Sequence, residues 1–90
     1  MHFALLYEYV PDILERRKPF REAHLSLLRR LHEEGRLLQA GAFQPVDGAL
    51  LVFQVGSAAE VEAFVKADPY VENGLVTRWR IREWTLVVGG

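Results

Sequence analysis

The run Ala49-Leu50-Leu51-Val52-Phe53 is the tightest constraint in this sequence. Successive side chains of a strand point to opposite faces, so an uninterrupted apolar run needs cover on both and reads as a central strand. Residues 2–10 make the same demand. They are rich in Leu, Phe, Tyr and Val, and their two faces, Phe3/Leu5/Tyr7/Tyr9 and Ala4/Leu6, are both largely apolar. Ninety residues suffice for one domain, and no linker or internal repeat divides them.

Two helices are expected between the strands. Pro11 ends the first strand, and residues 12–17 have room for a short helical turn. Lys18, preceding Pro19, is biased away from helix. Pro19 suits the first position of a helix that runs through Glu34 and stops at Gly35. At ~100° per residue, Phe20, His24, Leu27, Leu28 and Leu31 share one stripe, with Glu22, Ser26, Arg29, Arg30 and Glu33 on much of the other side. His24 is the one polar residue on the buried face.

Residues 37–43 and 49–55 read as two strands joined by Pro45-Val46-Asp47-Gly48, where Asp-Gly signals a hairpin. Ser57-Ala58-Ala59-Glu60 has the form of a capping box, with Ser57 bonding the Glu60 amide and Glu60 reaching back to that of Ser57. The helix behind it carries Val61, Phe64 and Val65 on one stripe, and that phase runs on to Asp68 just before Pro69. Residues 70–73 are too short to assign, and Asn73-Gly74 is a turn or helix stop. The last strand begins near Val76, with Trp79 and Ile81 on one face and Arg78, Arg80 and Arg82 on the other. The apolar phase switches at Glu83-Trp84, so a bulge or bend is expected there.

Strand–helix–strand–strand–helix–strand order, with right-handed crossovers, predicts an α+β ferredoxin-like βαββαβ sandwich with both helices on one face of an antiparallel sheet. The opposite face of the first and third strands is apolar too. A homodimer through the sheet face is therefore expected.

Composition limits the partners. Eleven Lys+Arg against twelve Asp+Glu leave a net charge of -1, with no global field to recruit nucleic acid or an anionic membrane. The third strand lacks the aromatic and basic pattern of an RNA-binding sheet. No apolar run reaches the ~18–20 residues of a membrane span, and Met1 to Leu6 has no basic leader before Glu8, so a cytoplasmic protein is expected. Cys 0 removes thiolate chemistry and Cys-ligated metals. His2, His24 and His32 lack metal-ligand spacing and the glycines form no phosphate loop, so neither a metal nor an organic cofactor is expected.

One pair stands out as a source of chemistry. In this topology the helices run antiparallel, so the start of the first lies near the end of the second, which brings His24 and Asp68 together on their apolar sides. Imidazole exchanges protons near neutral pH, and a carboxylate that orients one nitrogen makes the other a general base. From the pattern alone two structural readings stand beside this one: His24 packed and bonded to backbone, and Asp68 as the N-cap of a short helix starting at Pro69.

Leu14-Glu15-Arg16-Arg17, Arg21-Glu22-Ala23-His24-Leu25, the stretch from Gly35 to Gly41, and Ala67-Asp68-Pro69-Tyr70-Val71 with Gly74 resemble the YciI-like (YCII-related) family. The resemblance spans nearly the whole chain; its most specific piece is Arg-x-x-His-Leu combined with Asp-Pro-Tyr. It implies a ferredoxin-like, dimeric α/β-barrel fold in which a paired His and Asp, here His24 and Asp68, are regarded as the active site. Glu22 and Ala42 depart from the family pattern, standing where Pro is common, and an acidic residue often found after the first strand has no clear match.

Around the pair, Arg17 and Arg21 are candidate anchors for a carboxylate or enolate oxygen; the other account is a solvated patch paired with Glu15 and Glu22. Tyr70 is a candidate to donate its hydroxyl into the cavity and Tyr7 to line it from the first strand; the other account makes either a core residue with a satisfied hydroxyl. Arg78, Arg80 and Arg82 either line a second subunit's cavity or form an exposed edge. Two functions fit. In one, an isomerase- or lyase-like enzyme uses His24, oriented by Asp68, to take a proton next to a carbonyl or from a phenolic hydroxyl of a small substrate. In the other, the chain is a non-catalytic small-ligand-binding or regulatory module.

Overall fold

The computed structural model describes residues 1–89. Strand β1 (His2–Tyr9) leads through α1 (Ile13–Arg16) and a 3-10 turn (Lys18–Phe20) into α2 (Arg21–Glu33). Strands β2 (Leu37–Ala42) and β3 (Gly48–Gln54) follow, then α3 (Ala58–Ala67), the short α4 (Pro69–Glu72) and β4 (Val76–Glu83). The strands form one antiparallel sheet in the order β2-β3-β1-β4. That is the ferredoxin-like order, and the two segments apolar on both faces, β1 and β3, are its central strands.

Register separates the two faces. Leu5 stands between Leu51 and Ile81, and Tyr7 between Ala49 and Trp79. On this side Phe3, Leu5, Tyr7, Leu51 and Phe53 form one core with Leu31 of α2 and with Val61, Phe64 and Val65 of α3. A smaller core of Val10, Ile13, Tyr70 and Leu75 ties the end of β1 to α1 and α4. The other side presents Ala4, Leu6, Leu50 and Val52 beside the exposed Arg78, Arg80 and Arg82. No helix among the described residues is long and apolar enough to cross a membrane.

Both glycine stops work as expected. Gly35 adopts φ 77°, its N–H donates to His32 O at 3.0 Å, and the Arg36 N–H donates to Leu31 O at 3.0 Å. Gly74, at φ 72°, closes α4 in the same way through Leu75 N–H to Tyr70 O at 2.9 Å. These paired bonds satisfy the last carbonyls of each helix, and a Cβ would strain the positive φ they require.

Four local expectations are corrected. Pro19 lies in the 3-10 turn, closed by Phe20 N–H to Arg17 O at 2.9 Å, and α2 begins two residues later. The Ser57 side chain makes no cap bond; Glu60 reaches one residue further back, its Oε2 accepting from the Gly56 N–H at 2.8 Å. Gly48 belongs to β3 rather than to the turn, and residues 43–47, with a cis Gln44-Pro45 bond, make the connection. Gly48 is there for close approach, since a Cβ would collide with the Tyr7 carbonyl of the adjoining strand. At the C-terminal end β4 does not bulge. The strand ends at Glu83, the partner of Phe3, and Trp84 N–H still reaches His2 O at 2.8 Å. The irregularity of that ladder lies at its other end, between Glu8 and Tyr9.

Candidate active site

Asp68 joins α3 to α4. Pro69 holds it extended (φ -71°, ψ 120°), which ends α3 and turns its carboxylate back over the first turn of α4. Oδ1 accepts from the Tyr70 N–H at 3.0 Å, so Asp68 is indeed an N-cap. The same oxygen lies 2.7 Å from His24 Nδ1, in the first turn of α2, and Oδ2 accepts from the Tyr7 hydroxyl at 2.8 Å. Capping and pairing with histidine are thus not alternatives; one carboxylate does both.

The arrangement is dry. Asp68 is 0% exposed and His24 6%. A buried carboxylate is strongly disfavoured unless its lone pairs are filled, and here three donors from three elements converge on it. They also set the imidazole tautomer. The carboxylate accepts, so Nδ1 carries the hydrogen, and Nε2 has no partner among the described residues.

Aromatic rings fix the imidazole plane. Tyr70 stacks on His24 with centroids 3.7 Å apart and planes 5° from parallel. Tyr9 meets Tyr70 edge-on at 6.1 Å and lies tilted by 59° against Tyr7 at 6.2 Å. Burial, then the charge and hydrogen bond of Asp68, hold the Tyr7 hydroxyl well above the usual phenol range, so it remains a donor. Tyr9 is also pushed up, first by burial and then by Tyr70 and Asp68, against an opposing pull from Arg17 and Arg21.

A cavity of about 200 Å³ opens beside His24, between α2 and the β2–β3 half of the sheet. The sheet lines it mostly with small residues, Ala40, Gly41, Ala42 and Ala49 beside Leu51, opposite Leu25 and Leu28 of α2. His24, Tyr70, Arg17 and Arg21 line it, and Tyr9 joins them. Tyr7 does not; its hydroxyl is behind Asp68, where it anchors the carboxylate. Arg78, Arg80 and Arg82 lie on the other face of the sheet.

The presumed partners of the two arginines are engaged elsewhere. Glu15 pairs with Lys18 at 3.0 Å and Glu22 with Arg29 at 2.7 Å. Among the described residues neither Arg17 nor Arg21 has a carboxylate oxygen within 4.0 Å. Tyr9 is the lining residue that sequence reasoning missed. Its signal, shared with Tyr7, was only an aromatic position on the covered face of β1. No group of three or more His, Asp or Glu side chains able to hold a metal occurs among the described residues.

Comparison with known proteins bears on the whole chain, since residues 1–85 match the YCII-related domain. The chain belongs to the YCII-related family. Relatives of this YCII-related chain include Protein YciI of Escherichia coli O6:H1, 39% identical over 85 residues that cover 83% of this chain and 87% of that protein. An uncharacterized protein of Haemophilus influenzae is 31% identical with the same coverage. Among solved structures, a 5-chloro-2-hydroxyhydroquinone dehydrochlorinase from Burkholderia phenoliruptrix AC1100, in complex with 2,5-dihydroxybenzoquinone, superposes with a TM-score of 0.82 over 94% of each chain. At 24% identity that likeness concerns the fold.

Proposed function

We propose that this YCII-related chain is a small-molecule enzyme in which His24 Nε2 is the general base. Asp68 holds the ring in its Nδ1–H tautomer and stabilises the imidazolium that forms, while Tyr7 anchors Asp68. Arg17 and Arg21 attract an anionic group, and Tyr70 braces the imidazole plane. The observation that carries this reading is the 2.7 Å contact of Asp68 with Nδ1, which leaves Nε2 the unpartnered ring nitrogen of a residue lining a cavity. A satisfied core histidine would have both nitrogens engaged or packed away.

The cavity supports a substrate class: about 200 Å³, apolar walls and two guanidiniums without an ion pair among the described residues suit a single oxygenated ring or a short carbonyl compound. The fold relative is a dehydrochlorinase whose structure holds a dihydroxybenzoquinone. Loss of hydrogen chloride requires removal of a proton, the step assigned here to His24. An isomerase- or lyase-like outcome depends on where the proton or leaving group goes next.

Proton abstraction is visible without knowing the final product. Hydroxyquinones and 2-hydroxyhydroquinones incubated with the protein in D₂O should exchange ring protons, followed by NMR, and His24→Ala should slow exchange about 10²–10⁴-fold. Undiminished exchange by His24→Ala would remove the mechanism. Binding with no exchange by either protein would favour a non-catalytic ligand-binding module.

Assembly belongs to the same proposal. Leu6, Leu50 and Val52 on the helix-free face of the sheet suit a second copy of the chain, giving a homodimeric α/β barrel. Sedimentation should report a dimer at micromolar concentration and a monomer for Leu50→Glu; a monomeric wild type would refute it. A cytoplasmic location completes the reading, checked by cell fractionation.

A further inference from the structure

We propose that the hydroxyls of Tyr9 and Tyr70 form a paired oxyanion-binding site on the His24 cavity, so that the substrate is a phenol, a hydroxyquinone or an enolisable carbonyl compound whose oxygen becomes anionic as the proton leaves. This rests on His24 as the base.

The three tyrosines are adjoining rings with different commitments. Tyr7 donates to Asp68. Tyr70, only 1% exposed, lines the cavity with its ring against His24, yet its buried hydroxyl has no hydrogen-bond partner among the described residues. Buried hydroxyls are rarely left so, because desolvation without a hydrogen bond is unfavourable. Tyr9 crosses the edge of Tyr70, lines the same cavity, and makes no hydroxyl hydrogen bond among the described residues. Two phenolic hydroxyls without a partner among the described residues therefore belong to residues that line the cavity with His24, and neither lining guanidinium has a carboxylate within 4.0 Å among those residues.

Four donors and one acceptor suit a ligand that loses a proton and gains negative charge on oxygen. Burial keeps Tyr9 protonated, a donor rather than a second base. In the step itself the substrate's C–H or O–H bond breaks and its proton goes to Nε2. The electron pair stays on the substrate and comes to rest on the oxygen facing Tyr9 and Tyr70. Nothing is oxidised or reduced. Return of the proton at another atom completes an isomerisation, and departure of an anion completes an elimination.

The test uses 4-nitrophenol, whose ionised form is coloured, at a pH where half of the free probe is ionised, titrated with the full-length chain. The wild type should bind it as the phenolate. Tyr9→Phe and Tyr70→Phe, each removing one oxygen, should weaken phenolate binding about ten- to hundredfold, with folding checked by urea titration. No binding by the wild type, preference for the neutral phenol, or a phenylalanine variant indistinguishable from wild type overturns the pairing. If phenolate preference persists while exchange proves independent of His24, the base assignment fails alone; if exchange depends on His24 but the two variants bind normally, the tyrosine pair fails alone.

Discussion

Substituting Asp68 in two ways separates its charge from its hydrogen bonds. Oδ1 serves two fixed donors, His24 Nδ1–H and Tyr70 N–H, so an asparagine must place its carbonyl oxygen there and turn its amide toward Tyr7. The Tyr7 hydroxyl can rotate to accept. Asn is as good an N-cap as Asp, so the start of α4 is unaffected. What is lost is the charge assistance of the bonds to His24 and Tyr7, about 1 kcal/mol each, or about 2 kcal/mol together. Asp68→Ala instead strands three buried donors and removes the cap, a loss of about 3–5 kcal/mol. Against a total of about 5–13 kcal/mol for a chain of this length, that is a large share.

Urea unfolding followed by tryptophan fluorescence, with melting curves at about 4–8 °C per kcal/mol, should therefore place Asp68→Asn about 2 kcal/mol below wild type and Asp68→Ala well below that. In the D₂O exchange assay Asp68→Asn should lose activity while remaining folded. Equal destabilisation by the two substitutions would show that the three hydrogen bonds do not act as described. Full activity in Asp68→Asn would reduce Asp68 to a cap.

Other expectations follow from the same geometry. Tyr7 and Tyr9 are held protonated in the fold and ionise near pH 10 when unfolded, so their contribution is complete below pH 10 and is lost as pH rises beyond it; ultraviolet titration should show both ionising only on unfolding, and normal titration of both in the folded chain would contradict this. Arg17→Gln with Arg21→Gln should change stability by no more than about 0.5 kcal/mol, since neither has an ion pair to lose, while binding of anionic probes weakens; a large drop in melting temperature would reveal a structural role. Ala42→Leu, projecting from β2 into the cavity, should abolish 4-nitrophenolate binding with a normal melting curve, and unchanged binding would put the ligand elsewhere.

Most of the architecture is legible in the sequence because it is written in two periodicities. Unbroken apolar runs mark β1 and β3 as central strands, and the stripe from Phe20 to Leu31 marks one face of α2. The glycine stops are legible because only glycine occupies the required φ without strain. The misread details turn on which backbone groups happen to be near. Glu60 bonds Gly56 rather than Ser57, and Gly48 answers the Tyr7 carbonyl across the sheet. The first neighbour is one helical turn away and the second is remote in the chain; neither is fixed by periodicity.

The site divides along the same line. His24 and Asp68 can be singled out from residues alone, because a polar group in an apolar phase needs a partner and antiparallel helices supply one. Tyr7 and Tyr9 cannot be told apart in that way, since they occupy the same face of one strand two positions apart. Packing gives the first a buried carboxylate 2.8 Å from its hydroxyl and turns the second onto a cavity between α2 and the sheet. Periodicity tells a side chain which way to face; what it meets there depends on segments brought together only when the sheet and helices close.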